Sequence, residues 1–338
     1  MKETLASMAV RLGCSQTTIS RVLNGKGKKY RISDATVKKV LAEAQRCKYS
    51  TSLVAHHLRK NKTESIGLLI PSVANPFFAD MASVIISEAH SRNYVTIIVD
   101  MQEDGSNQDE ALAALLERQV DGVIVVPCAD NPTLLEEIDR TVVPVVLVDR
   151  YYENIPLSYV TTNNYKGGLL ATELMLENRH KRIACVQGFP NAMPTIMRVK
   201  GYCDAMEKAG LADNELIVGG EFSTQNGYLE TKLLLGENPR PTAIFALSNT
   251  ILLGAIKAIR EAGLKIPEDI SVISFDNNRY LDYMVPPIHR IGQPVEDMAI
   301  LASRILFEKI NGNNPEQVRR LALSPKLIAG ESVCPCRE

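Results

Sequence analysis

The chain has 338 residues, is 45% hydrophobic and 23% charged, and carries a net charge of −1; it is long enough for two or three domains and ordinary in composition for a soluble protein. No apolar run approaches the ~20 residues of a membrane helix, and the opening MKETLASMAVRLGC lacks a signal-peptide layout, so a cytoplasmic location with no membrane partner is expected. Charge is divided unevenly: residues 1–64 hold 14 Lys+Arg against 4 Asp+Glu and the rest 24 against 35, a basic head on an acidic body, so the head would make most contacts to nucleic-acid phosphate.

The first 45 residues predict three short helices. Leu5, Met8, Ala9 and Leu12 share a face of the first, and Gly13 ends it. Ser15 is placed to cap a second helix with Thr18 at its third position. There Ile19, Val22 and Leu23 form the apolar stripe and leave Gln16, Thr17, Ser20 and Arg21 outside it. Asn24-Gly25 closes that element. A basic loop, Lys26 to Ile32, leads to a third helix capped by Ser33, with Val37, Val40, Leu41 and Ala44 expected inward. Residues 50–62 read as a polar linker with weak helical spacing.

From Ser65 onward, short apolar runs alternate with helical stretches. Ile66–Ile70, Val95–Val99, Gly122–Val126 and Val145–Val148 form one series. Ile183–Val186, Leu216–Val218, Ala243–Leu247 and Ile270–Phe275 form a second. Such runs suit strands buried on both faces, and the alternation predicts two successive doubly wound α/β subdomains. Ligands of such folds bind beyond the carboxyl ends of the strands, here in the cleft between two lobes.

Nucleotide-binding glycine loops, a zinc-protease motif and a nucleophile elbow are missing from the sequence, so no cofactor or metal is expected. The seven cysteines are odd in number and scattered; Cys334-Pro335-Cys336 is the one close pair, read as an inert thiol tail. Polar residues at strand ends are more informative: Asn75-Pro76-Phe77-Phe78, Asp149-Arg150, Asp276-Asn277 and Gln293. Each alone is ordinarily a loop cap or surface ion pair. Together, rings with carboxylates, amides and Arg suit a polyhydroxyl ligand.

Over essentially its whole length the chain resembles the LacI/GalR family of bacterial transcription regulators. The matching stretches are T-x-x-x-x-A-x-x-x-G-C-S-x-x-T-I-S-R-V-L-N at 4–24, V-A-x-x-L at 54–58, I-G-L-L-I-P-x-x-x-N-P-F-F at 66–78, P-V-V-L-V-D-R at 144–150, R-x-x-G-Y at 198–202, P-T-A-I-F at 241–245 and I-P-E-D-I-S-V-I-S-F-D-N at 266–277. The resemblance implies a helix-turn-helix domain at 1–48, a hinge helix at 49–63 and an effector-binding and dimerisation core at 64–338. Within that core it implies a periplasmic-binding-protein-like pair of subdomains, about 64–162 with 293–323 and about 163–292 with 324–338.

It also implies residue roles. Gln16, Thr17 and Arg21 match base-reading positions in the major groove. Thr4, Ser15, Thr18, Ser20 and Asn24 match phosphate contacts. Ala55 and Leu58 match the hinge residues of the minor groove, where Leu58 would wedge between base pairs. The family's effector contacts fall on Asn75, Phe77, Phe78, Asp149, Arg198, Phe222, Ser248, Asn249, Asp276 and Gln293, of which Asp149, Arg198 and Asp276 fit sugar-binding members. The implied protein is a repressor that binds a pseudo-palindromic operator in double-stranded DNA as a homodimer, under control of a sugar-like effector.

Three features depart from the family pattern. The Lys26–Ile32 loop is about three residues longer than in the lac repressor. Ser248-Asn249 replaces the usual Asn-Asp pair. Thr51-Ser52 stands where the hinge usually carries Pro. The chain ends shortly after Gly330 with no leucine heptad, so a dimer is expected rather than a tetramer. Two other readings compete: a sugar-binding protein of a transport system, disfavoured by the basic helical head, and an α/β sugar enzyme, disfavoured by the lack of a nucleophile–base pair.

Overall fold

The computed structural model describes residues 4–23, 25–47, 62–313 and 317–336. The chain divides into two compact units, Met1–Thr63 and Glu64–Glu338.

The first unit is helical: α1 (Leu5–Leu12), α2 (Gln16–Leu23) and α3 (Asp34–Arg46). Thr4 and Ser7 form a reciprocal cap at the start of α1, and Gly13, at φ 63°, takes the left-handed turn that ends it. Ser15 Oγ accepts from the Thr18 amide at 3.0 Å, which starts α2. Met8, Ile19, Val22, Val40 and Ala44 are buried together, with Leu5, Leu12, Ile32 and Val37 packed on them. Leu41, expected inward, is 50% exposed. Only one stripe of α3 meets the other two helices, and Leu41 lies off it beside Val40.

The second unit has two lobes, each a six-stranded sheet between helices. The first lobe holds β1 (Ser65–Ile70), α4 (Pro76–His90), β2 (Val95–Asp100), α5 (Asn107–Glu117), β3 (Val123–Val125), α6 (Thr133–Thr141), β4 (Val145–Val148) and β5 (Ser158–Thr162). The second holds α7 (Asn164–Glu177), β6 (Ile183–Val186), α8 (Met193–Lys208), β7 (Leu216–Val218), α9 (Thr224–Leu235), β8 (Ala243–Ala246), α10 (Asn249–Glu261), β9 (Ser271–Phe275) and β10 (His289–Gly292). The chain then returns to the first lobe with α11 (Val295–Ile310) and β11 (Arg320–Leu323), and to the second with β12 (Lys326–Ile328).

Strand orders are β11-β5-β4-β3-β1-β2 and β12-β10-β9-β8-β6-β7. All neighbours are parallel except β12, which runs antiparallel to β10. The chain therefore crosses between lobes three times. The central strands β3, β4, β6, β8 and β9 are buried throughout, as parallel strands covered on both faces require. The Val95–Val99 run does not follow that expectation. It forms β2 at the sheet edge, with Val95 66% exposed; an edge position follows from strand order, which the composition of a run does not reveal.

Helices α7 and α8 approach at backbone distance. A Cβ on Gly168 would stand 2.1 Å from the Arg198 carbonyl oxygen, and one on Gly201 would stand 2.3 Å from that of Tyr165. Glycine at both positions fixes where Arg198 sits.

Candidate functional site

The strand ends of the two lobes face each other across a small cavity. Asn75, Phe77, Phe78 and Asp149 line it from the first lobe; Arg198, Phe222, Ser248 and Asp276 line it from the second. Gln293, on the connection after β10, completes the expected set. Asn249 alone does not face the cavity. It is fully buried, donating from Nδ2 to Asn278 Oδ1 and, at 3.3 Å, to Asn75 Oδ1.

Glu103, Arg150 and Pro194 also line the cavity and were not assigned contacts from sequence. Arg150 was already marked by its place beside Asp149 at a strand end, although the family resemblance did not include it among the effector contacts. Glu103 follows β2, so its place just past a strand is the same signal.

Local chain geometry aims these side chains inward. Asp149 and Asp276 both take left-handed backbone, at φ 63° and 78°. That conformation is costly for a non-glycine residue and persists where surrounding structure imposes it. The Asp149 amide donates to the Val160 carbonyl at 2.9 Å and the Asp276 amide to that of Ile291 at 2.9 Å. Asn75 caps α4, its Oδ1 accepting from the Phe77 amide at 3.1 Å. Ser248 caps α10, its Oγ accepting from the Ile251 amide at 3.2 Å.

Charges are buried but compensated. Arg150, 7% exposed, donates to Glu103 Oε2 at 2.8 Å. Its guanidinium lies within 6 Å of three ring centroids: Phe78 of its own lobe at 5.8 Å, and Phe189 and Phe222 of the other at 5.9 and 5.4 Å. Arg198 lies 3.6 Å over the Phe275 ring and donates to Asn164 Oδ1 at 2.8 Å and the Leu247 carbonyl at 2.6 Å. Asp276 accepts from Gln293 Nε2 at 2.7 Å and from the Asn249 amide at 3.1 Å. Burial pushes the Asp149 carboxyl up to about 6, against the pull of Arg198 and Arg150. Asp149 Oδ1 and Gln293 Oε1 are buried with no hydrogen-bond partner in the protein. Buried polar atoms of this kind are costly alone and ready for a ligand's donors. The wall thus offers ring faces, acceptors and guanidinium groups, the equipment for a compact hydroxylated molecule.

In the head, Gln16 and Thr17 are exposed on α2, and Ser20 and Arg21 half-exposed. With Leu5, Lys26 and Tyr30 they line one concave surface. Thr4, Ser15 and Thr18 are engaged in helix capping at the starts of α1 and α2. Asn24, Ala55 and Leu58, and nearly all of the expected hinge, lie outside the described residues. The Cys334 thiol donates to the Pro267 carbonyl at 3.3 Å. Among the described residues no three His, Cys, Asp or Glu side chains are grouped to hold a metal ion, and no helix is long and apolar enough to cross a membrane.

A family model for the periplasmic binding protein-like domain matches residues 172–333. Along its length the chain is 31% identical to the HTH-type transcriptional regulator DegA of Bacillus subtilis (strain 168), covering 99% of each. It is 32% identical to the ribose operon repressor of Haemophilus influenzae, covering 94% of this chain and 95% of that one. The chain belongs to the LacI/GalR family of bacterial transcription regulators. Its fold follows that of another LacI-type protein, a lac repressor dimer bound to operator and an anti-inducer, at a TM-score of 0.88 over 99% of this chain and all of that one, with 23% identity. A LacI family regulator from Enterococcus faecium with bound ribose matches at a TM-score of 0.74 and 27% identity, covering 81% of this chain and 100% of that one. As a LacI/GalR member the protein regulates transcription by binding DNA. Head and core both fall within these full-length matches, which sets the transport reading aside. The named relatives are regulators, not enzymes.

Proposed function

We propose that the protein is a repressor whose operator affinity is set by a small hydroxylated effector, a sugar or sugar derivative, held between the lobes of residues 64–338. The observation that carries this reading is the convergence of Asp149, Arg198, Asp276 and Gln293 with the Phe77, Phe78 and Phe222 rings on one cavity. The ribose bound to the Enterococcus faecium relative supports the ligand class. The cleft carboxylates bind rather than turn over the ligand: Asp276 is engaged by Gln293 and the Asn249 amide.

The head, residues 1–48, reads the major groove through Gln16, Thr17 and Arg21, while Thr4, Ser15, Thr18, Ser20 and Asn24 meet phosphate. Residues 49–63 form the hinge that brings Ala55 and Leu58 to the minor groove. Two copies bind a two-fold operator. Effector binding favours one lobe geometry and so shifts operator affinity by linkage.

The test is a thermal-shift screen of sugars and phosphosugars, followed by operator titration with any hit. A sugar that raises the melting temperature and changes operator affinity is the expected result. A hit that leaves operator affinity unchanged, or a screen in which only non-hydroxylated ligands bind, would overturn the proposal.

A further inference from the structure

Arg21 does not stand alone on the reading surface. Its guanidinium carbon lies 3.9 Å from the centroid of the Tyr30 ring, directly over it. Tyr30 belongs to the Lys26–Ile32 loop, and that loop is firmly built. The Lys26 amide donates to the Arg21 carbonyl at 2.9 Å, Tyr30 to Lys26 at 3.2 Å and Ile32 to Gly27 at 3.0 Å. Gly27 is buried, and a Cβ there would stand 3.0 Å from Val37 Cγ2. Ile32 packs on the core of the head. Arg21, Lys26 and Tyr30 share one concave surface with Gln16, Thr17 and Ser20.

We propose that Tyr30 is a positioning residue for base recognition, holding Arg21 in the orientation that pairs with a base edge. The proposal rests on the reading of Arg21 as a base contact. A guanidinium stacked on a ring keeps its N–H donors in its own plane, where they remain free to make a two-pronged contact with guanine O6 and N7. Stacking also removes much of the rotamer freedom that an arginine otherwise loses only on meeting DNA. The ring is 44% exposed, so its replacement leaves the folded head largely undisturbed, and its cation–π attraction acts on the arginine rather than on the core.

The experiment uses the full-length protein and a duplex DNA pool with randomised two-fold half-sites, scored for base preference at each position. R21A should remove the preference at one position of each half-site. Y30L should weaken the preference at that same position about two- to five-fold, leaving other positions and the salt dependence of binding unchanged. Y30F, which keeps the ring, should match the parent. If R21A removes the preference and Y30L leaves it intact, or lowers affinity for all sequences alike, the positioning role is wrong. A Y30F that behaves like Y30L overturns it too, because the hydroxyl would then be the active part. If R21A itself changes no base preference, the base-contact reading fails first and the role of Tyr30 falls with it.

Discussion

The side-chain amide of Asn249 donates to Asn75 Oδ1 at 3.3 Å, joining the first turn of α10 in one lobe to the cap of α4 in the other. The two helix N-termini therefore meet at the cleft, where their dipoles favour acceptor atoms of a ligand. Asn249→Ala should remove this link and bias the lobes apart. A single neutral hydrogen bond contributes about 1 kcal/mol, so effector affinity should fall about five-fold. Titration calorimetry with a sugar found by thermal shift measures this; an unchanged dissociation constant would mean the bond does not contribute to closure.

Asp149 carries a pH signature. Its folded-state carboxyl is raised to about 6 by burial, above the unfolded value of about 4. The folded protein therefore holds a proton that the unfolded chain releases. Stability from this group is fully present below about pH 4 and is lost as pH rises through 6. Asp149→Asn should be more stable than the parent at pH 7.5, by up to about 3 kcal/mol, with the gap closing toward pH 4.5. The same variant should weaken effector binding, since the amide removes the charge and puts a donor in place of one of the two carboxylate acceptors. Melting curves across that pH range decide; a constant gap argues against the raised carboxyl.

Buried Arg150 pairs with half-buried Glu103 beside aromatic rings. Glu103→Ala leaves the guanidinium buried without its carboxylate and should cost about 3–5 kcal/mol. The double variant Glu103→Ala/Arg150→Met should recover much of that loss, because an apolar side chain suits the cage of Phe78, Phe189 and Phe222. Urea unfolding of the single and double variants separates pair-breaking from simple loss of packing.

Gly168→Ala tests whether helix contact positions the site. The added methyl would meet the Arg198 carbonyl oxygen, so α7 and α8 must separate. Stability should drop by about 1–3 kcal/mol or more, and effector affinity should fall as well, because Arg198 moves with α8. A variant that is destabilised yet binds effector normally would show that Arg198 adjusts independently of its helix.

In the head, Lys28→Ala and Arg21→Ala should differ in kind. Lys28 is an exposed cation of the Lys26–Ile32 loop, and its loss should weaken binding to all sequences alike and reduce the salt slope by up to about one. Loss of Arg21 should cost about 1–3 kcal/mol and act on one base position. Operator titrations at several salt concentrations distinguish the two patterns.

Much of this protein is legible as periodicity. The 3.6-residue stripe of Ile19, Val22 and Leu23 identifies a docked helix and leaves Gln16, Thr17 and Arg21 outward, because a helix that buries one stripe exposes the rest. Alternating apolar runs and helical stretches announce parallel sheets, because crossover helices cover both faces of such strands. Polar residues just past those runs mark a cleft, because strand ends are where such folds leave backbone and side chains open. Other features depend on which segments become neighbours. Edge placement exposes Val95, and neither the Arg150–Glu103 pair nor the stack of Arg21 on Tyr30 has a sequence spacing that marks it. The turn of Asn249 away from the cavity is likewise tied to Asn278 and to Asn75, the latter a residue 174 positions earlier that the fold brings opposite it. Local patterning fixed the kinds of element and the residue types at their ends; long-range packing alone decided which charges meet, since that depends on distances no local rule contains.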